Sequence, residues 1–435
     1  MRDYQEALAY IHGRVKSHKD ATMQRMQLLM TKLGHPERQI NAIHVAGTNG
    51  KGSVVAFLRN MLQAAGLTVG TFTSPFLVRF NERISVNGIP ISDAEIVRLV
   101  NLVAPIVAEI DAAMPNEGPT EFEVLTAMMF AYFAEGHADV VIVEVGIGGD
   151  NDSTNVVIPQ LSVITTIGYD HMQFLGNTLE SIAGHKAGII KPNTPVVIGR
   201  IEDGPRAVIE QRAEQESAPL SALTIDFNVQ AKPIAGWHEQ FQFSDVDGQI
   251  KDVKLNMMGD FQIDNAAVAI EAFKQFMDQR RIPFDNAVIK QGLLSTQWAG
   301  RFEKLNDQPL VIIDGAHNMP AIKEIEKNIK NYFSDREIYI ILAILADKQY
   351  LPMIEVLAQL NNVHLILTEF KGPIKRAAAD LSATANSVAS ANQIEFIDNW
   401  KEAIVSVSNQ MTQDDVLLIT GSLYFISDVR ALFMD

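Results

Sequence analysis

The sequence predicts an α/β protein, and three observations carry that prediction. Short apolar, β-branched runs alternate with helix-patterned stretches through most of the chain, as in a parallel sheet covered by helices on both faces. The first of these runs leads into a glycine-rich loop that opens a helix. At 435 residues, with 47% hydrophobic and 20% charged, the chain can fill two or three domains and is too apolar to stay disordered. The expected architecture is a mostly parallel sheet with a small antiparallel insert, followed by a second, smaller α/β domain.

The expected strands are Ile43–Ala46, Val140–Val145, Leu161–Thr166, Pro195–Ile198, Leu310–Ile313, Ile338–Leu342, His364–Leu367, Ile394–Ile397 and Val416–Ile419. Each is nearly all apolar, as a strand buried on both faces must be. Ser92 and Glu95 read as a capping box that opens a helix, and Pro105 should kink it. From Phe241 to Leu255 the pattern alternates on either side of Asp247-Gly248, which predicts a β-hairpin. Helical periodicity returns from Ile263 to Arg280. After Ser295–Gly300 a fresh series of strands and helices begins, which sets the expected domains at 1–297 and 298–435.

Composition narrows the function. The 36 Lys and Arg against 52 Asp and Glu leave a formal charge of −16, which repels nucleic acid and anionic membrane. With no Cys, disulfides, thiolate zinc sites, iron–sulfur clusters and a Cys nucleophile are excluded, which fits a cytoplasmic protein. Asp3 and Glu6 interrupt any signal-peptide core, and the most apolar stretch, Leu99 to Ala108, is too short for a membrane span.

The strongest motif is Gly47-Thr48-Asn49-Gly50-Lys51-Gly52-Ser53, between the strand Ile43–Ala46 and the helical pattern Val54–Ala65. Backbone amides without obstructing side chains, a helix N-terminus and the mobile Lys51 ammonium together favour phosphate, against the alternative of a turn that serves only chain reversal. The loop departs from the usual P-loop spacing, since Val45 stands where the first Gly belongs and Gly52 follows the Lys. Glu144 sits inside the apolar run 140–149, where a carboxylate needs a cation or hydrogen bonds. Beside a nucleotide loop the natural cation is Mg²⁺, the alternative being a pairing with Lys or Arg. Asp170-His171 should fall at the carboxyl end of a strand, where open α/β sheets place ligands, although a loop histidine alone is ordinarily a surface residue. Lys186, read locally, is a solvated lysine near a helix end. In the second block Asp314 and His317 follow the strand Leu310–Ile313, and Arg301 stands just past the boundary, where it can clamp phosphate towards an inter-domain cleft. Gly421-Ser422 repeats that placement after Val416–Ile419.

Taken together, these motifs resemble the folylpolyglutamate synthase and dihydrofolate synthase family, relatives of the Mur ligases. GTNGKGS at 47–53, TSPF at 73–76, RFNERI at 79–84, TEFE at 120–123, EVGIGG at 144–149, DSTN at 152–155, DH at 170–171, HKAGIIKP at 185–192, DGAHN at 314–318 and TGS at 420–422 occur in the family's order. The resemblance implies a P-loop ATPase-like N-terminal domain, with a Rossmann-like glutamate-ligase domain after it. It further implies an ATP-dependent ligase that joins L-glutamate to the γ-carboxylate of a reduced folate through an acyl phosphate. Gly47 to Ser53 would hold the phosphates, and two Mg²⁺ ions are implied: Ser74 and Glu144 at one, and Glu144, His171 and a carbamylated Lys186 around the second. Asn265 would meet the adenine, Arg301 and Asp314 the nucleotide, and His317 and Ser422 the incoming glutamate. Phe76, Arg83, Asp152 and Ser153 would meet the folate. The implied catalytic residues are Lys51, His171, Lys186 and His317, in a monomer whose second domain closes over the cleft.

Asp150 and Ser153 depart from what many relatives carry near the pterin site, so addition of the first glutamate to dihydropteroate stays open. Two alternatives remain. A Mur ligase acting on a UDP-linked sugar peptide generally has a further N-terminal domain, for which the 46 residues before the glycine loop leave little room. A P-loop switch that binds nucleotide without ligating would not need Lys186.

Overall fold

In the computed structural model, residues 1–18, 22–233, 236–372 and 377–434 are described. The chain divides into two compact units: the first holds 1–235, 240–256 and 263–296, and the second 236–239, 257–262 and 297–435.

The first unit is built on an eight-stranded sheet: β1 (Ala42–Ala46), β2 (Val69–Phe72), β3 (Ile84–Val86), β4 (Ile89–Pro90), β5 (Val140–Glu144), β6 (Leu161–Ile164), β7 (Val196–Ile198) and β8 (Leu220–Ala222), in the order β4-β3-β2-β5-β1-β6-β7-β8. From β2 to β8 the neighbours are parallel, while β3 and β4 add an antiparallel edge. All five residues of β1 are buried, which explains why it is apolar but for His44, whose Nε2 lies 2.8 Å from the Thr154 hydroxyl. The register sets Val45 beside Glu144 and Ala46 beside Ile164, so the loops leaving β1, β5 and β6 emerge side by side. The chain turns from β1 towards β2 on one side and from β6 towards β7 on the other. This makes β1/β6 the switch point at which open sheets bind ligands.

The helix Lys51–Ala64 packs Val54, Val55, Phe57, Leu58, Met61 and Leu62 inward at helical spacing. Helices Tyr4–His12, Gln24–Lys32, Asp93–Ala113 and Glu121–Ala134 share a core with Phe72, Phe80 and Val141. Ser92 caps Asp93–Ala113 by accepting the Glu95 N–H, but the Glu95 carboxylate turns to Arg98, so only half of the expected capping box forms. The helix runs through Pro105 without ending. The expected hairpin is present as β10 (Glu239–Asp245) and β11 (Gly248–Leu255), in a three-stranded sheet with β9 (Asn228–Lys232).

The second unit carries a six-stranded sheet in the order β12-β13-β17-β14-β15-β16: β12 (Glu303–Asp307), β13 (Leu310–Asp314), β14 (Ile338–Ala343), β15 (Val363–Glu369), β16 (Glu395–Asn399) and β17 (Val416–Gly421). All neighbours are parallel except the edge strand β12. Trp237 stacks on Phe302 with centroids 6.3 Å apart, and the Tyr332 hydroxyl donates to the buried Glu239 carboxylate at 2.7 Å. Among the described residues no helix is long and apolar enough to cross a membrane.

Candidate active site

The loop 47–53 leaves β1 in a conformation that glycine alone accommodates. Gly50 has φ +83° and precedes the helix Lys51–Ala64; a Cβ there would lie 2.3 Å from the Asn265 Oδ1. At Gly47 (φ +149°) a Cβ would fall 1.9 Å from the Thr165 hydroxyl. The Lys51 ammonium arches over the loop and donates to the carbonyls of Gly47 (2.9 Å) and Thr48 (3.3 Å). Asn265, nearly buried on the helix Asp260–Gln279, thus stands against the loop.

A second group gathers after β2 and β5. Glu144, the buried last residue of β5, accepts the Ser74 N–H at 3.1 Å, and Arg83 donates to the Ser74 hydroxyl at 3.0 Å. The Arg83 guanidinium lies 5.1 Å from the Phe76 ring centre and 5.8 Å from that of Phe80. Glu82 organises the intervening loop by accepting from the amides of Leu77, Val78 and Arg79. Ser74, Glu144, Arg83 and Phe76 are therefore neighbours.

Lys186 overturns the local reading of a solvated lysine. It is 4% exposed on the helix Leu179–Ala187, and burial, reinforced by the positive charge of Lys51, lowers its pKa to about 7 despite the opposing pull of Asp170 and Asp152. Nothing local in HKAGIIKP reveals this, because the burial comes from segments distant in sequence. His171 takes the left-handed conformation (φ 51°) that lets the chain turn after β6, and its Nε2 is 3.9 Å from the Asp170 carboxylate.

Asp152 is buried and spends its oxygens on its own loop, accepting from Ile147 N–H (2.8 Å), Thr154 N–H (3.0 Å) and the Thr154 hydroxyl (2.5 Å). Burial raises its pKa. Ser153 follows in the short helix Ser153–Val156. Among the described residues no cluster of three or more His, Cys, Asp or Glu stands ready to hold a metal ion. The donors near the loop are a buried carboxylate, a histidine, a serine and an easily deprotonated lysine. This set fits Mg²⁺ if the amine of Lys186 is converted to an oxygen donor, because Mg²⁺ takes few protein oxygens and keeps water and phosphate for the rest.

In the second unit Asp314 ends β13, buried, accepting the N–H of Phe302 (2.8 Å) and of Ala316 (2.8 Å). Burial raises its pKa and the nearby Arg301 opposes that rise. His317 donates through Nδ1 to the Gly315 carbonyl at 2.8 Å, which makes Nε2 the acceptor of the neutral ring. Ser422, buried after β17, donates its N–H to the Ala343 carbonyl and accepts the Tyr424 N–H.

Several contributors escaped the sequence reading. Thr165, Thr166 and Gly168 hold the glycine loop: the Thr166 carbonyl accepts the Thr48 N–H (2.8 Å), and its Oγ1 accepts the Asn49 N–H (3.0 Å). Their only local signal was a pair of hydroxyls at the end of an apolar strand. TEFE proves structural: Thr120 and Glu123 form a capping box, and Glu123 pairs with the buried Arg25 at 3.0 Å. Asp150 pairs with His185 at 3.0 Å.

A glycine loop feeding a helix at the switch point, a buried carboxylate and lysine beside it, and a second α/β unit with its own strand-end residues are the parts of an ATP-dependent ligase. Residues 45–273 match the Mur ligase middle domain and residues 300–423 the Mur ligase, glutamate ligase domain. The dihydrofolate synthase/folylpolyglutamate synthase of Bacillus subtilis is 44% identical over 433 residues, covering 98% of each chain. A solved complex of folylpolyglutamate synthase with AMPPCP and folate has a TM-score of 0.87 at 37% identity, covering 100% of both chains. The Mycobacterium tuberculosis folylpolyglutamate synthase complexed with ADP has a TM-score of 0.91 at 30% identity, covering 99% of this chain and 98% of that one. The chain belongs to the folylpolyglutamate synthase and dihydrofolate synthase family.

Proposed function

We propose that the chain uses ATP to join L-glutamate to the γ-carboxylate of a reduced folate, with 1–297 serving the nucleotide and folate and 298–435 serving the glutamate. The observation that carries this reading is the convergence of the glycine loop, Glu144 and Lys186: a phosphate cradle, a buried hard-oxygen donor and an amine poised to lose its proton.

A carboxylate is a poor electrophile, so one of its oxygens first attacks the γ-phosphorus and ADP leaves. The amides of Gly50 to Ser53 and the Lys51 ammonium hold and neutralise the phosphates, with Gly47, Thr48 and Asn49 shaping the cradle. Asn265 is assigned to the adenine, and Arg301 and Asp314 to the nucleotide. The glutamate nitrogen then attacks the acyl carbon, phosphate departs, and the nitrogen gives up a proton, for which the His317 Nε2 is the assigned acceptor. Ser422 helps to hold the amino acid, while Arg83 and Phe76, with Asp152 and Ser153 shaping their side of the site, meet the folate.

Ser74 and Glu144 would hold one Mg²⁺, and Glu144, His171 and a carbamylated Lys186 a second. When bound, these ions supply Lewis-acid neutralisation of the phosphate and acyl oxygens. Carbamylation needs an unprotonated amine, which Lys186 offers at neutral pH. We take the enzyme to act as a cytoplasmic monomer on small molecules, with neither nucleic acid nor membrane as partner, in keeping with its charge of −16.

The test is phosphate release from ATP and Mg²⁺ with tetrahydrofolate plus L-glutamate, dihydropteroate plus L-glutamate, or a UDP-sugar peptide. Stimulation by the first pair supports the proposal, and added stimulation by the second makes the enzyme bifunctional. Turnover with the sugar peptide alone, or hydrolysis indifferent to all three, refutes it.

A further inference from the structure

We propose that Thr166 is a positioning residue for the nucleotide loop, and that together with Thr48 it fastens that loop to the segment carrying His171. The inference rests on the nucleotide-binding role assigned to residues 47–53.

Thr166 lies two residues beyond the end of β6, the strand beside β1. Its carbonyl accepts the Thr48 N–H at 2.8 Å, and its hydroxyl oxygen accepts the Asn49 N–H at 3.0 Å. The same hydroxyl donates to the Asn49 carbonyl at 3.1 Å, which also receives the Thr165 hydroxyl at 2.5 Å. Further along, the Thr48 hydroxyl donates to the Gly168 carbonyl and accepts the Gly168 N–H, both at 3.0 Å. Three consecutive peptide groups of the glycine loop are thus held by a neighbouring strand end rather than by the loop's own glycines.

This sets which amides can face an anion. Thr48 and Asn49 have their N–H groups turned into the protein. The first intrahelical bond of Lys51–Ala64 runs from Val54 N–H to the Gly50 carbonyl, so the amides of Lys51, Gly52 and Ser53 lie outside the helical ladder at its open end. Fixing Asn49 from both sides places Gly50 in its left-handed turn and aims those three amides together. Because Gly168 is three residues before His171, the same bonds tie the phosphate cradle to that histidine. A loop preset in this way does not have to be ordered by the nucleotide, which is where affinity is otherwise lost.

Thr166→Val keeps the shape but can neither accept from Asn49 N–H nor donate to its carbonyl, whereas Thr166→Ser keeps both bonds. Calorimetry of the full-length variants with a nonhydrolysable ATP analogue and Mg²⁺ should show about tenfold weaker binding for Thr166→Val and wild-type binding for Thr166→Ser. The KM values for folate and L-glutamate should stay unchanged in both. If Thr166→Val shows no folded circular dichroism signal, Thr48→Val is read in its place, with Thr48→Ser as its control and the same tenfold weakening expected. Wild-type nucleotide affinity in the folded valine variant, whether or not its unfolding temperature falls, overturns the proposal. Failure of the unmodified protein to bind nucleotide overturns the assigned role of residues 47–53 instead.

Discussion

Lys186→Met separates a metal-holding lysine from a structural one. An amine whose pKa falls from 10.5 to about 7 on folding is half neutral at pH 7, about a tenth neutral at pH 6 and about nine-tenths neutral at pH 8. Only the neutral amine combines with CO₂, so ligation in limiting bicarbonate should rise across this range. Stability follows the same proton. The unfolded chain keeps it up to pH 10.5 while the folded chain sheds it above about 7, so stability contributed through this group increases with pH between those values. At pH 7 the unfavourable burial amounts to about 4 kcal/mol, an order-of-magnitude figure from that difference at ~1.4 kcal/mol per pH unit. Lys186→Met has similar volume and no charge. Its urea midpoint at pH 7 should therefore match or exceed the wild-type value, and its stability should lose part of its rise towards pH 9. Ligation should fall by about 100-fold or more with nucleotide binding retained, and short carboxylates should restore some rate only to Lys186→Ala, whose shortened side chain leaves room for them. Wild-type ligation by Lys186→Met, or a loss of several kcal/mol in stability, would show that the amine serves as a paired structural cation and refute the reasoning.

Two further substitutions probe the scaffold and the cradle. Glu123→Gln leaves the buried Arg25 guanidinium without its carboxylate and should cost about 3–5 kcal/mol, read as a lowered urea midpoint. Gly50→Ala requires a left-handed alanine whose Cβ would lie 2.3 Å from the Asn265 Oδ1, so it should abolish measurable binding of a fluorescent ATP analogue while circular dichroism stays native.

Most central strands were legible because both faces of each are covered, which leaves an unbroken apolar run, but the buried Val69–Phe72, broken by Gly70 and Thr71, escaped that reading. The edges were not. Asn228–Lys232 and Glu303–Asp307 are polar and partly exposed, and Ile89–Pro90 is two exposed residues long, so none shows the run that marked the others. The glycine loop was legible because its chemistry is local. Burial of Lys186, the Arg25–Glu123 pair across 98 residues and the grip of Thr166 on a loop 117 residues earlier depend on contacts that no local window contains. The resemblance supplied a role for Lys186 where its immediate neighbours suggested only a solvated cation.

The second unit recruits 236–239 and 257–262 from the stretches that flank the antiparallel insert. A fragment beginning at residue 298 would therefore lack part of its own interior: Phe302 would lose the indole stacked upon it, and Tyr332 the carboxylate that accepts its hydrogen bond. Gene fusions or split versions of this enzyme that cut at the apparent seam would yield a sticky C-terminal half, and the two ends of the insert must be carried along for that half to stand alone.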